Sequence, residues 1–151
     1  MTEKAWSVVC DTGPIIHLDE LGCLDLLSDF EKILLSLSVV EEIEKHRPVA
    51  LTAKLPFALL HAQRPAEERL VAMCRIFALD RGETDSLIMM ESHPDALFLT
   101  DDASARMVAE RMGFKVHGTM GILVRSIRHG RRNPQRYCPL SATYQPAAHC
   151  S

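Results

Sequence analysis

Acidic side chains fall in four well-separated places along this 151-residue chain: Asp11, Glu41 and Glu42, Glu83 and Asp85, and Asp101 and Asp102. Asp11 follows the apolar run Val8–Cys10, Asp101 follows "ALFLT", and the others lie in or at the start of helical patterns. Carboxylates brought together without a counter-charge raise one another's pKa and destabilise a fold. A divalent cation removes that cost. Oxygen donors from Asp and Glu suit Mg²⁺ or Mn²⁺, whereas zinc usually brings His or Cys. Such an ion activates water and stabilises the leaving oxygen in phosphodiester cleavage. Taken singly, each acid has a simpler use. Asp11 and Asp101 suit helix N-caps, Glu83 complements a helix dipole, and Glu41 reads as a solvated helix residue. Convergence on one rim separates the two readings, because independent caps need not meet.

The elements that must position these acids can be read from hydrophobic patterning. Trp6–Cys10 reads as a short buried strand closed by Asp11-Thr12-Gly13, with Pro14 suited to a first helical turn and two short helices following around Gly22. Lys32–Leu37 reads as a second strand, then a helix Val39–His46 capped by Ser38 and ended by Pro48. Residues 49–63 fit helix and strand equally. Pro65–Leu79 is an amphipathic helix with Leu70, Met73, Cys74 and Phe77 on one face, punctuated by Gly82. Glu83–Ser92 is a helix with an acidic start that stops before Pro94. Ala96–Thr100 is a third strand, and the helix after it presents Ala105, Val108, Ala109 and Met112, with Gly113 as its C-cap. Phe114–His117 is a fourth strand and Met120–Ile127 a closing helix. Alternating helices and solidly apolar strands predict an α/β protein whose central parallel sheet is covered by helices on both faces. Beyond the carboxyl ends of such strands lies the usual ligand crevice, where all four acidic segments would arrive.

Composition narrows the class. With 47% hydrophobic and 25% charged residues the chain reads as one globular domain over residues 1–132, followed by a basic and then Pro- and Ala-containing tail over 133–151. Five cysteines without a CxxC argue against a disulfide framework or a zinc ribbon, and fit a reducing cytoplasm. The segment MTEKAWSVV has no secretory-leader pattern, and no apolar run approaches the roughly 20 residues of a membrane helix. A net charge of −3 predicts no general affinity for polyanions, so a nucleic-acid partner needs a local basic patch. The seven histidines lack HxxxH and HExxH spacing. GxSxG, Walker A and GxGxxG motifs are absent from the sequence, which lowers nucleophilic and nucleotide-dependent chemistries in rank.

The stretches "VVCDTGPIIHLDELGCLDLL", "SLSVVEEIEKH", "ALDRGETDSLIMME" and "LFLTDDASARMVAERMGFKVHGTMGIL", in this order, resemble the PIN domain, a metal-dependent ribonuclease fold found in many bacterial toxins of the VapC kind. The last stretch is similar to a PIN-like subgroup known only as a domain of unknown function. The resemblance runs from about Val8 to Arg128. It implies a three-layer fold with a five-stranded parallel sheet. It also implies a catalytic, metal-binding set of Asp11, Glu42 (with Glu41 as the neighbouring register), Asp85 and Asp102. Glu83 competes with Asp85, and Asp101 neighbours Asp102. Thr12 and Thr100 would orient carboxylates or water. Gly13 departs from the Ser or Asn that many active members carry there.

Arg125, Arg128, Arg131, Arg132 and Arg136 form the basic cluster of the chain, suited to RNA phosphates or to a solvated helix end. Arg106, in "DDASAR", reads as an ion-pair partner of a nearby acid. The leading expectation is a Mg²⁺- or Mn²⁺-dependent endoribonuclease leaving a 5′-phosphate and a 3′-hydroxyl. Its expected partners are an RNA substrate, a small antitoxin and a second copy of the chain. A PIN-like binding module without catalysis is the alternative. A metal-dependent phosphatase ranks lower, because the DxDx(T/V) pattern is missing after the first strand.

Overall fold

The computed structural model describes residues 6–62, 66–128 and 130. The expected tail 133–151, and with it Arg131, Arg132 and Arg136, lies outside these residues. Five strands form one parallel sheet in the order β3-β2-β1-β4-β5. They are β1 Ser7–Cys10, β2 Lys32–Ser36, β3 Phe57–Leu60, β4 Leu97–Leu99 and β5 Lys115–His117. The helices are α1 Thr12–Glu20, α2 Leu37–His46, α3 Glu68–Ile76, α4 Arg81–Ser92, α5 Ala103–Arg111 and α6 Thr119–Arg128, with short 3-10 helices at Leu24–Asp29 and Pro48–Thr52.

The three layers follow from the strand period of two. Val8, Cys10, Ile33, Leu35, Leu97 and Leu99 face one core, shared with Ile15 and Leu18 of α1, Val39 and Ile43 of α2, and Ile122 and Leu123 of α6. Val9, Leu34 and Phe98 point the other way, into a core with Leu70 and Cys74 of α3, Leu87 of α4, and Ala105 and Val108 of α5. Both faces of the central strands are buried, which explains why their sequences are continuously apolar.

Local chemistry moved several expected boundaries. β2 ends at Ser36, not Leu37, because the Ser36 hydroxyl caps α2 by accepting from the Val39 N–H at 3.2 Å. Ser38, the expected cap, is instead buried inside that helix. The ambiguous segment 49–63 contains a 3-10 turn and the edge strand β3, which pairs with β2 from Ile33↔Phe57 to Ser36↔Leu60. α3 begins at Glu68, and the expected start at Pro65 lies outside the described residues. Its end is marked by Ala78 in the left-handed region (φ 51°). Gly82 does not punctuate. It is buried in the first turn of α4, which starts two residues before Glu83 because Asp80 caps it.

The chain lays β2 and β3 on one side of β1, then crosses to place β4 and β5 on the other. The sheet therefore switches direction between β1 and β4, and the helices that follow those strands, α1 and α5, leave toward opposite faces. That divergence opens a crevice at the carboxyl ends of β1 and β4. Phe98, fully buried in the middle of β4, anchors the α3–α5 side. Phe98→Ala should cost about 3–5 kcal/mol, read as a lower urea midpoint at unchanged slope.

Candidate active site

Asp11 occupies the switch point. Its N–H donates to the Leu99 carbonyl at 2.9 Å, so the β1–β4 ladder continues to the last residue before α1. The side chain is 7% exposed and accepts two hydrogen bonds, from the Thr12 N–H to Oδ1 at 2.9 Å and from the Thr100 hydroxyl to Oδ2 at 3.0 Å. Burial raises its pKa to about 6, against those two hydrogen bonds, with the charges of Asp80 and Glu42 adding to the rise.

The two threonines pass this position on to other acids. Thr12 donates its hydroxyl to Glu42 Oε2 at 2.9 Å, and Thr100 Oγ1 accepts the Asp102 N–H at 3.2 Å. Glu42 is half-buried whereas Glu41 is exposed, so the register of α2 turns Glu42 toward Asp11. Asp102 caps α5, accepting from the Ala105 N–H at 2.8 Å. The expected capping role of Asp101 thus belongs to Asp102, and Asp11 caps α1 as well.

On the α4 side a reciprocal capping box joins Asp80 and Glu83. Asp80 Oδ1 accepts from the Glu83 N–H at 2.7 Å and Glu83 Oε2 from the Asp80 N–H at 3.0 Å. Burial pushes Glu83 up to about 7, helped by the charges of Asp80, Asp102 and Asp11. Gly82 lies between these acids, where a Cβ would make ordinary contacts with Glu42 Oε2 at 3.4 Å and Asp80 Oδ1 at 3.5 Å. Asp11, Glu42, Asp80, Glu83 and Asp102 thus form one electrostatically coupled group. Asp80 escaped the sequence reading, although the spacing D-x-x-E before an apolar helix is a capping-box signal.

Two more of the expected acids accept hydrogen bonds from residues outside that group. Asp85 Oδ2 accepts from the Ser38 hydroxyl at 2.7 Å and lies 3.8 Å from Arg81 Nε, fastening α4 to α2. Asp101 Oδ1 accepts from the Thr119 N–H at 2.7 Å, and Oδ2 accepts from the Thr119 hydroxyl at 2.5 Å and faces His17 Nδ1 at 2.8 Å. Burial works to raise the Asp101 pKa, but the bonds from Thr119 and His17 prevail and hold it below the ordinary carboxylate range. Asp101 therefore braces α1 against α6. Arg106 forms no ion pair among the described residues. Its Nη2 flanks Asp101 where Gly118 leaves room, since a Cβ on Gly118 would stand 2.8 Å from Asp101 Oδ1 and 3.3 Å from Arg106 Nη2.

Behind Asp11, Cys10 is fully buried, and burial drives its thiol far above the usual range. Among the described residues no three His, Cys, Asp or Glu side chains stand close enough to grip an ion as they are. The donor chemistry nevertheless fits a hard divalent cation: the coupled group offers only carboxylate oxygens, and two of its members have raised proton affinity.

A PIN-domain family model (DUF3368) matches residues 7–136. The chain belongs to the PIN-domain family. No curated protein matches it. Solved structures do, among them a PilT N-terminus domain protein, SSO1118, from the hyperthermophilic archaeon Sulfolobus solfataricus P2. That structure aligns at a TM-score of 0.60 and 15% identity over 84% of this chain and 98% of the other. At such identity the likeness concerns the fold, and the five-stranded parallel sheet between helices is the PIN arrangement expected from the sequence. No helix among the described residues is long and apolar enough to cross a membrane.

The raised Asp11 pKa makes stability depend on pH. The folded state holds this proton more tightly than the unfolded chain, so the contribution is fully present below the ordinary carboxylate value and is lost as pH rises through about 6. The loss amounts to about 3 kcal/mol. Asp11→Asn keeps an acceptor for the Thr12 N–H and removes the charge. Thermal unfolding of this variant in metal-free buffer should therefore show a smaller drop from pH 5 to pH 8 than the wild type. Equal drops would contradict the assignment.

Proposed function

We propose that this PIN domain is a Mg²⁺- or Mn²⁺-dependent endoribonuclease whose products carry a 5′-phosphate and a 3′-hydroxyl. The observation that carries the reading is the Asp11 carboxyl, buried at the switch point within a group of acids, with proton affinity raised by burial and by their charge. PIN domains are generally nucleases, which agrees with it. Asp11, Glu42, Glu83 and Asp102 would hold the ion, and when bound it supplies water activation and neutralises charge developing on the scissile phosphate.

The chain's own residues do the positioning. Thr12 and Thr100 fix the Asp11 carboxylate, and Thr12 also fixes Glu42, so the two acids keep a constant relation. In the ion-free chain burial and the neighbouring acids raise the proton affinity of Glu83, a cost that a bound cation would remove. Asp85, held by Ser38, keeps α4 registered on α2 and so acts through Glu42 and Glu83. Arg125 and Arg128 meet RNA phosphates.

A toxin role with a small antitoxin, and a homodimer, belong to the same reading. Toxicity on expression that Asp11→Asn relieves, and sedimentation at twice the chain mass, are the outcomes expected. The open spacing of the acids favours a second reading, a PIN-domain module that binds RNA without cutting it. Cleavage of single-stranded RNA in Mn²⁺ separates the two. Asp11→Asn should abolish cleavage and Thr100→Val should lower it by about 10–100-fold, as loss of a ligand-orienting group does. Mn²⁺ should raise the unfolding temperature of the wild type but not of Asp11→Asn. Undiminished cleavage by Asp11→Asn would remove the nuclease assignment, and RNA binding without cleavage by the wild type would establish the second reading.

A further inference from the structure

Between β5, α6 and the start of β1 lies a groove of about 870 Å³ that the site above does not use. Its described lining includes Lys115, Arg125 and Arg128 but no carboxylate, although the whole chain is net negative. Two of these cations rest on aromatic rings. The Lys115 ammonium sits 4.2 Å from the centroid of Trp6, and the Arg125 guanidinium 5.6 Å from that of Phe30. Ring contacts of this kind hold a cation in place while leaving its charge unneutralised.

The groove reaches the corner of the fold that holds Asp101. It begins at His117 and Gly121, at the end of β5 and in the first turn of α6, next to Thr119, which grips Asp101. Arg106 and Arg125 both act on His117, so cationic side chains flank this corner, and α6 runs about 15 Å from its start to Arg128, the length of a ten-residue helix.

We infer that this groove is the track for a single strand of RNA, which follows α6 and delivers one phosphodiester to the Asp11 crevice. The inference rests on the nuclease reading for the destination of the strand. The binding itself needs only the groove. Charge complementarity chooses the occupant: three cations with no carboxylate among the described lining residues fit a polyanion.

The test uses the full chain carrying Asp11→Asn, a fluorescein-labelled 12-nucleotide RNA and a salt series. Arg125→Glu/Arg128→Glu should weaken binding at least tenfold. Arg125→Gln/Arg128→Gln should lower the slope of log K against log salt by roughly 1.4, two phosphate contacts at about 0.7 each. With Asp11 restored, the Gln pair should raise KM more for a 12-mer than for a dinucleotide. RNA affinity and salt slope equal to the parent's, in variants whose circular dichroism is unaltered, would overturn the track even if the protein cleaves RNA. A change confined to sedimentation would also overturn it and make the groove an interface with another protein. Binding that follows the expected pattern in a protein that never cleaves would leave the track standing and remove the nuclease reading.

Discussion

Burial of one carboxyl, that of Asp11, sets the terms for everything around it. Taking a carboxylate out of water is costly unless hydrogen bonds replace the lost hydration. Here two donors do so in part, one from the helix start and one from the end of the neighbouring strand. The remainder of the cost appears as a proton affinity raised to about 6. The identity of residue 100 follows from this, because its hydroxyl donates to Asp11 and also accepts the Asp102 N–H. Residue 12 serves Asp11 through its backbone N–H, and its hydroxyl goes to Glu42. Three segments far apart in the chain are thereby tied to one atom group.

Adjacent acids after β4 divide their work. Asp102 caps α5 on one side of the sheet, while Asp101 reaches across to Thr119 and His17 and joins α6 to α1 on the other. The switch in strand order makes this division necessary. At a point where helices depart to opposite faces, one residue cannot serve both. Gly118 completes the arrangement, since any larger residue would press on the Asp101 carboxylate.

The fold was largely legible because β1, β2 and β4 are buried on both faces and read as unbroken apolar runs. β3 was not, since an edge strand has one neighbour and its half-exposed FALL, preceded by Pro56, carries neither a solid run nor an alternation. At the site, Asp11 was legible because it directly follows a strand, and Asp102 because it lies three residues past one, at the start of a helix. Asp80 was hidden by reading Gly82 as a break, when that glycine lies inside the first turn of the helix that Asp80 caps. The His17–Asp101–Thr119 contact joins residues up to 102 positions apart, and no local pattern reports it. Asp85 carries the spacing of the family motif, yet its neighbour Ser38 decides what its carboxylate does.

Cys10 gives the central strand a built-in clock. Its sulfur is sealed between β1 and the cores, one residue from Asp11, with its ionisation suppressed by burial. A water-soluble disulfide reagent reaches that sulfur only after the helices packed on this face of the sheet have moved away, so in a chain whose other cysteines are replaced its reaction rate times the exposure of the core behind Asp11.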